Sequence, residues 1–226
     1  MTSRRHTLLV WALSFSTFSL LASQASAESW EQYKFDSRHS GNAPKRQVKT
    51  PLKLAAAIAL SDGVYTSPVL ADNHLYIVDG SGRAYCIDTK TFKIVWQRPT
   101  RGGKDNCNNV SSPAVAGDYL HFGTMAGYYY VLDRKTGKTV REIDCRDPIF
   151  SAPAVSQGRV YFVTLGSHVY ALEPDGQVAW KWDFVSEVLG FEGNRWSGEE
   201  WHKHKQGRVT WKDHFVSSRN LAVHNK

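Results

Sequence analysis

The sequence predicts an all-β fold, a β-propeller of four-stranded antiparallel blades, from three observations. A unit recurs about every 40 residues, and its prolines, Pro68, Pro113 and Pro153, lie 45 and then 40 residues apart. Inside each copy the spacing is constant, with a tyrosine 17 residues and an acid 20 residues after the proline. Short apolar runs separated by Gly and Asp turns are typical of propeller blades. We predict three complete blades plus partial ones, and therefore an incomplete ring.

The first 27 residues are predicted to be a secretory signal peptide. Arg4 and Arg5 precede an apolar run over residues 8–22, and Ala25-Ser26-Ala27 has the small-residue pattern of a cleavage site. We therefore expect a periplasmic or secreted protein whose mature chain begins at Glu28, exported by the general or the twin-arginine route. The apolar run is short for a membrane span, and the absence of a cysteine after it gives no support for a lipid anchor.

The composition is that of a globular, weakly basic protein. The formal charge of +7 includes Arg4 and Arg5, and the first 27 residues contain no acid, so the mature chain carries 7 − 2 = +5. No dense stripe of Lys and Arg indicates a nucleic-acid partner.

Residues 28–51 are predicted to form a polar lead-in without regular structure. Residues 52–60 are apolar and occupy the place that Trp96 and Trp180 hold before later units. We predict that this segment is the outermost strand of a further blade whose other strands come from elsewhere.

Each complete blade, at about 61–100, 101–145 and 146–184, is predicted to contain four strands. The second and third strands are nearly continuous apolar runs, as expected for a sheet covered on both faces. The predicted strands are residues 68–70, 74–78, 84–88 and 93–97, then 113–115, 119–123, 128–133 and 138–142, then 153–155, 159–164, 168–173 and 177–182.

The turn between the third and fourth strands explains why an acid follows the proline of each unit by 20 residues. These acids are Asp88, Asp133 and Glu173. In the second copy, Asp133 is followed by Gly137, so the Asp side chain accepts backbone N–H groups while Gly supplies a positive φ. The first copy has Phe92 where the second has Gly137, which predicts a turn that is bent differently or strained. The acids are therefore predicted to form turns rather than to catalyse a reaction.

These turns carry a resemblance to a known family. Tyr130-Val-Leu-Asp133 with Thr136-Gly-Lys138, Cys86-Ile-Asp88 with Trp96, and Ala171-Leu-Glu173 with Trp180 resemble the pyrroloquinoline-quinone (PQQ) repeat of quinoprotein alcohol dehydrogenases. The resemblance covers residues 52–184 and implies a propeller in which this pattern docks neighbouring blades. It does not by itself imply PQQ, because the same repeat occurs in non-enzymatic propellers of outer-membrane assembly.

After the third unit the period breaks. Residues 185–213 are predicted to be an inserted loop, and residues 214–226 to begin a fourth blade. We expect the chain to be an N-terminal fragment of a longer protein, with missing blades supplied by that protein or by another chain.

The candidate ligand site is the rim at which the connections between blades meet those between second and third strands. Amides, acids and Arg beside Trp are groups that would suit PQQ held through Ca²⁺, and they are equally common in exposed loops. The candidates are Arg101, Lys104, Asp105, Asn106, Asn108, Asn109, Arg146, Asp147, Arg195 and Trp196.

Metal, cysteine and catalytic motifs give weaker signals. His202 and His204, with Glu199 nearby, are weak metal candidates in a Lys-rich loop where solvated side chains are the simpler expectation. Cys107 and Cys145 lie in neighbouring connections and are a candidate disulfide, while Cys86 is expected in the core. No motif for serine hydrolysis, nucleotide binding or covalent haem is present, so no catalytic residue is assigned.

Three functions follow as alternatives. The first is an exported binding module for a protein or envelope ligand, without turnover. The second is a fragment of a PQQ-dependent dehydrogenase for alcohols or sugars, and the third an outer-membrane assembly scaffold. The binding module is preferred for two reasons. A quinone site needs ligands from several blades, and this chain has too few blades to supply them. The sequence also lacks the adjacent cysteine pair of many PQQ alcohol dehydrogenases.

Overall fold

The computed structural model describes residues 29–45, 47–101 and 108–195. These residues form three four-stranded antiparallel sheets, each a simple up-and-down meander. The all-β propeller prediction is confirmed, and within the described ranges the three sheets do not close into a ring. The predicted signal peptide at 1–27 and the predicted start of a fourth blade at 214–226 lie outside these residues.

The twelve strands agree with the predicted ones to within two residues at each end. The first blade contains β1 (Val69–Ala71), β2 (His74–Val78), β3 (Ala84–Asp88) and β4 (Ile94–Arg98); the second contains β5 (Ala114–Ala116), β6 (Tyr119–Gly123), β7 (Tyr128–Asp133) and β8 (Thr139–Asp144); the third contains β9 (Ala154–Ser156), β10 (Arg159–Val163), β11 (His168–Leu172) and β12 (Val178–Asp183). A short helix, α1 (Phe184–Leu189), follows. Strands β1, β5 and β9 are the innermost of their sheets and contact one another in series.

The core lies in two seams, where blades pack face to face. In the first seam, Tyr76 and Cys86 of the first blade pack with Phe122, Tyr130 and Leu132 of the second. All five are at most 2% exposed. Both faces of β7 are covered, which explains its uninterrupted apolar sequence.

The second seam joins the second and third blades through stacked aromatic rings. Phe162 lies between Tyr129 and Tyr170, with ring centroids 3.9 and 4.7 Å away. The buried His121 imidazole adds a polar link, with its Nε2 2.9 Å from the carbonyl oxygen of Pro174. Burial lowers the pKa of His121 to about 4, so at neutral pH the ring is uncharged and Nε2–H donates this bond.

The lead-in ties the three blades together along their inner edges. Trp30 exchanges backbone hydrogen bonds of 2.7 and 2.9 Å with Leu70 of β1, and the Glu31 carbonyl accepts one of 2.7 Å from Val115 of β5. The Gln32 side chain bonds both backbone groups of Val155 in β9. The sequence predicted a plain connector here. The structure instead shows a strap that satisfies backbone groups of all three innermost strands.

The prediction of a strand at residues 52–60 is wrong. The segment has no regular secondary structure, because no strand in the described part of the chain lies beside it to form a ladder. Leu52 and Leu54 are 73% and 87% exposed. Ile58 and Leu60 pack on the outer face of the first blade, so the segment covers part of a face that would otherwise be open.

The first residues of the predicted loop at 185–213 belong to α1, which ends at Leu189. Asp183 caps the N-terminus of α1 by accepting from the backbone N–H groups of Val185 and Ser186. Gly190 ends it in the left-handed conformation, with φ 64°.

The first and second blades share one turn geometry between their last two strands. Phe92 donates its N–H to the Asp88 carbonyl at 2.8 Å, and Gly137 does the same to Asp133. Phe92 has φ 56° and Gly137 has φ 68°. The strained alternative is therefore the right one: Phe92 adopts a left-handed conformation that its Cβ disfavours.

Replacing Phe92 with glycine is expected to raise the free energy of unfolding by about 1 kcal/mol, because it relieves this strain. The side chain is 42% exposed, so little packing is lost. Urea denaturation of the two proteins measures the difference. Phe92→Ala keeps a Cβ at the same φ and should show no such gain; equal gains for both variants would contradict the explanation.

Candidate functional site

The structure describes six of the ten predicted rim residues. They are Arg101, Asn108, Asn109, Arg146, Asp147 and Arg195. The other four, Lys104, Asp105, Asn106 and Trp196, lie outside the described residues, as do the metal candidates Glu199, His202 and His204. The six do not form a single site.

Asp147 and Arg195 belong to one partly buried polar network on the third blade. We call Asp147, His168, Asp183 and Arg195 the third-blade cluster. The Asp147 carboxylate lies 2.8 Å from His168 Nδ1, and the other ring nitrogen lies 3.3 Å from Asp183. His168 is therefore held between two carboxylates. Asp147 also accepts a hydrogen bond of 3.2 Å from the Thr164 hydroxyl.

Arg195 completes the cluster from the far side of α1. Its guanidinium donates to both oxygens of Asp183, at 2.7 and 2.6 Å, and to the Gly166 carbonyl at 2.6 Å. Burial alone would raise the pKa of Asp183, but hydrogen bonds from Arg195 and from the Ser186 backbone outweigh it and lower the pKa to about 2. The bidentate geometry is the strongest form of this ion pair.

Asp183→Asn is expected to lower the melting temperature at pH 7 by roughly 3–6 °C, because it removes the charge that Arg195 binds. The folded-state pKa lies below the ordinary value of 3.8, so the carboxylate stabilises the fold above about pH 4. That contribution is lost as the pH falls towards 2.

Thermal unfolding between pH 7 and pH 2 tests this. The gap between the two proteins should close with acidification, and in an Arg195→Gln background it should be small at every pH. A gap that does not depend on pH would contradict the assignment.

Close approach at Gly166 permits the cluster. A Cβ at this position would lie 2.1 Å from an Asp147 carboxylate oxygen, which real contacts do not allow. Backbone hydrogen bonding from Leu165 to the Pro148 carbonyl, at 2.9 Å, holds the same two loops together. The loop between β10 and β11 is thus shaped around the Asp147 side chain.

Asn109 lies in the connection between the first and second blades, and it is fully buried. Its N–H donates to the Gly80 carbonyl at 2.9 Å, and its side-chain oxygen accepts from the Met125 N–H at 3.2 Å. Asn109 therefore joins a rim loop of the first blade to one of the second. Its side-chain nitrogen is buried, and no described residue accepts a hydrogen bond from it.

Arg101 packs on the second blade. Its backbone N–H donates to the Tyr130 hydroxyl at 2.9 Å, and its Nε lies 2.9 Å from Glu142. The guanidinium also lies over the Tyr128 ring, 5.9 Å from the centroid. Asn108 and Arg146 are exposed and have φ of 62° and 59°, so both occupy tight turns.

Cys86 and Cys145 are buried, and neither is bonded to another cysteine within the described residues. Burial raises the pKa of Cys86 to about 11 and that of Cys145 to about 12. Cys107 lies outside the described residues, so its pairing with Cys145 stays a prediction. Thiol titration under denaturing conditions decides it, because three free thiols would exclude the bond.

The described acids of the third-blade cluster are not available as Ca²⁺ ligands. The carboxylates of Asp147 and Asp183 already bind His168 and Arg195, which leaves them poor ligands for a cation. Within residues 29–45, 47–101 and 108–195, no group of three or more His, Cys, Asp or Glu side chains is placed to hold a metal. Searched over the same ranges, no helix is long and apolar enough to cross a membrane.

Sequence reasoning missed two members of the cluster, His168 and Asp183. One signal was available for His168, because the equivalent positions of the other units hold Arg83 and Tyr128. His168 thus differs from the residues at its position in the other two units, and it contacts Asp147 and Asp183 of the third blade. No sequence spacing indicated that Arg195 would reach back to this strand.

Three comparisons with known proteins agree on the repeat. A family described as "Outer membrane protein assembly factor BamB" matches residues 108–195. The quinohemoprotein alcohol dehydrogenase ADH IIB of Pseudomonas putida is 26% identical over 176 residues, covering 66% of this chain and 26% of the relative. BamB of Legionella pneumophila (strain Paris) is 27% identical over 117 residues, covering 48% of this chain and 29% of the relative.

Among solved structures, a europium-containing methanol dehydrogenase superposes with a TM-score of 0.60 at 18% identity, covering 68% of this chain and 31% of that one. This likeness concerns the fold. The chain spans little more than a quarter of the length of the two curated relatives.

Proposed function

We propose that this chain, whose repeats are similar to those of PQQ-repeat β-propellers, acts as an exported binding module for a protein or another component of the cell envelope. The proposal rests on one observation, the aromatic outer face of the third blade. The described rim, by contrast, has its acids bound within the third-blade cluster.

The first seam shows how such a face is used. Trp96 of β4 lies on the next blade, where its indole N–H donates to the Arg134 carbonyl at 3.0 Å. Gly137 gives the indole room, since a Cβ there would lie 2.6 Å from the Trp96 ring. One aromatic side chain, one carbonyl and one glycine thus dock a turn onto a blade.

The third blade presents the same kind of surface with its aromatic residues exposed. Trp180 stands at the place of Trp96 in the repeat and is 42% exposed, while Trp182 is 40% and Val178 is 44% exposed. Tyr161 flanks Trp180, with ring centroids 6.1 Å apart. Exposed aromatic patches of this kind favour protein–protein contact.

The chemistry of the face defines its partner. An indole N–H beside apolar side chains suits a polypeptide turn that offers a carbonyl oxygen and a small residue, as the turn at Arg134–Gly137 does. Such a turn can belong to another protein, or to a further blade of a longer parent protein or of another chain.

Site-specific photo-crosslinking tests the proposal. A benzophenone amino acid at position 180, in the full chain expressed in an exporting bacterium, should yield a defined crosslinked product. The matched control is position 140 on β8, where Val140 is 46% exposed on an outer strand. Equal crosslinking at both positions, or none at 180, would overturn the proposal. Mass spectrometry of the product distinguishes a partner protein from a second copy.

A PQQ-dependent dehydrogenase is the second candidate, favoured by the name of the Pseudomonas putida relative. It predicts that PQQ with Ca²⁺ gives a quinone absorbance on the full chain and supports dye-linked oxidation of an alcohol. Absence of both would remove this candidate. An outer-membrane assembly scaffold is a special case of the binding module, and the family match favours it. In that case the crosslinked partner should be an assembly protein.

Export is part of the proposal and has its own test. N-terminal sequencing of the protein recovered from the periplasm or the medium should start at Glu28. Recovery of the chain only from the cytoplasm, with Met1 retained, would contradict it.

A further inference from the structure

A second concave site lies at the other end of the first seam, away from the rim. It is a cavity of about 260 Å³. Its walls come from the turn between β1 and β2, the neighbouring strands β2 and β3, and the turn between β7 and β8. The lining residues are Asp72, His74, Tyr76, Cys86, Arg134 and Lys135.

Arg134 is held rigidly at this site. Its N–H donates to the Asp118 carbonyl at 3.0 Å, and its own carbonyl accepts the Trp96 indole N–H. The guanidinium donates through Nη2 to the Asp72 carboxylate at 2.6 Å. The side chain is only 13% exposed.

One donor of this guanidinium is unused. Arg134 Nε is buried, and no described residue accepts its hydrogen bond. A buried donor without an acceptor costs about 1–3 kcal/mol. An acceptor that reaches Nε would recover that cost, and the fixed backbone of Arg134 confines the necessary adjustment to its side chain.

The rest of the lining offers hydrogen-bond donors, and the Tyr76 hydroxyl also interacts with the Arg134 guanidinium. Burial raises the pKa of Tyr76 to about 12 and that of Cys86 to about 11, so both carry their protons at neutral pH. Lys135 adds a second cation, and its exposed pair with Asp118 at 3.3 Å is weak. Two cations therefore face two carboxylates, and the exposed pair of Lys135 with Asp118 is the one that an entering anion can replace.

We propose that this seam cavity binds a small oxyanion, the carboxylate or phosphate group of a ligand, through Arg134 and Lys135. Guanidinium groups pair with both kinds of anion through their N–H donors, while lysine contributes a point charge. The site is independent of the rim and of the aromatic face of the third blade, so it does not depend on the function proposed above.

Nuclear magnetic resonance of the full chain tests the proposal with two probes, inorganic phosphate and acetate, at constant ionic strength. The side-chain Nε–Hε signal of Arg134 should shift and saturate with one or both probes. Saturation with phosphate alone assigns the site to phosphate groups, and saturation with acetate alone assigns it to carboxylates. A signal that does not respond to either probe would overturn the proposal.

Lys135→Gln and Lys138→Gln form a matched pair of variants. Both lysines are exposed on the same turn, but only Lys135 lines the cavity. Lys135→Gln should weaken binding at least threefold, and Lys138→Gln should leave it unchanged. Equal weakening by both variants would show a diffuse attraction and overturn the site. Arg134→Lys, which keeps the charge and removes the Nε donor, should abolish saturable binding; retained binding would contradict the role of Nε.

Discussion

Replacing Phe162 with alanine is expected to lower the free energy of unfolding by about 4 kcal/mol. Phe162 is fully buried and stacks between Tyr129 and Tyr170 in the middle of the second seam. Truncation removes the transfer free energy of the ring and leaves a cavity that two flanking aromatic rings cannot easily fill. It also removes two aromatic stacking contacts.

Urea denaturation measures this loss, and two controls isolate its cause. Phe162→Leu keeps most of the volume and should lose less than half as much. Phe92→Ala truncates an exposed phenylalanine and should change the stability little.

Cys145 gives a local measurement of the same seam, because it belongs to the same buried cluster and is 5% exposed. In a Cys107→Ser background, which leaves Cys145 with a free thiol, the reaction of Cys145 with a thiol reagent should accelerate in Phe162→Ala. If Phe162→Ala costs no more than Phe92→Ala, the second seam is not a core of the fold.

The strands could be predicted from the sequence because each strand pairs with strands that are close to it in the chain. A turn of Asp and Gly, a run of five or six apolar residues and a second turn define a meander whose register depends on neighbours within the same 40 residues. The Asp133 turn illustrates this, since its carboxylate accepts from Lys135 and Thr136 immediately beyond it. Phe92 adopts the same turn, because the pairing of β3 with β4 requires a left-handed residue at this position even though phenylalanine disfavours that conformation.

The errors and omissions arise where contacts link distant parts of the chain. A strand at 52–60 needs a neighbouring strand, and its apolar pattern is equally satisfied by packing Ile58 and Leu60 on the first blade. Gln32 bonds Val155, 123 residues away, and nothing in the spacing of either residue predicts that pairing. Sequence patterns describe what a segment requires, but they do not identify the residue that provides it.

The same distinction explains the candidate site. Asp147 and Arg195 were selected as polar rim residues, and both do lie in polar surroundings. Their partners, His168 and Asp183, convert them from exposed ligands into members of a network that holds α1 against β12. Charge content alone could not distinguish a binding group from a satisfied one, because that depends on geometry.

Gly166→Ala is expected to destabilise the protein by about 3 kcal/mol, through the third-blade cluster rather than through backbone strain. Gly166 is not among the glycines with positive φ, so alanine is permitted by the backbone. The added Cβ would lie 2.1 Å from the Asp147 carboxylate, which must then leave its place. Asp147 would lose the contacts to His168 and Thr164 while remaining mostly buried, and a buried carboxylate without partners is costly.

A double-mutant cycle with Asp147→Ala separates the clash from other effects of the substitution. Removing the carboxylate clears the space, so Gly166→Ala should cost far less in the Asp147→Ala background than in the wild-type protein, with a coupling of about 2 kcal/mol. Gly117→Ala is the control for alanine at an open glycine, since no atom lies within 4 Å of its Cβ. Its φ of 59° limits the expected cost to about 1 kcal/mol. Additive effects of Gly166→Ala and Asp147→Ala would show that the glycine is required for a reason other than the approach of Asp147.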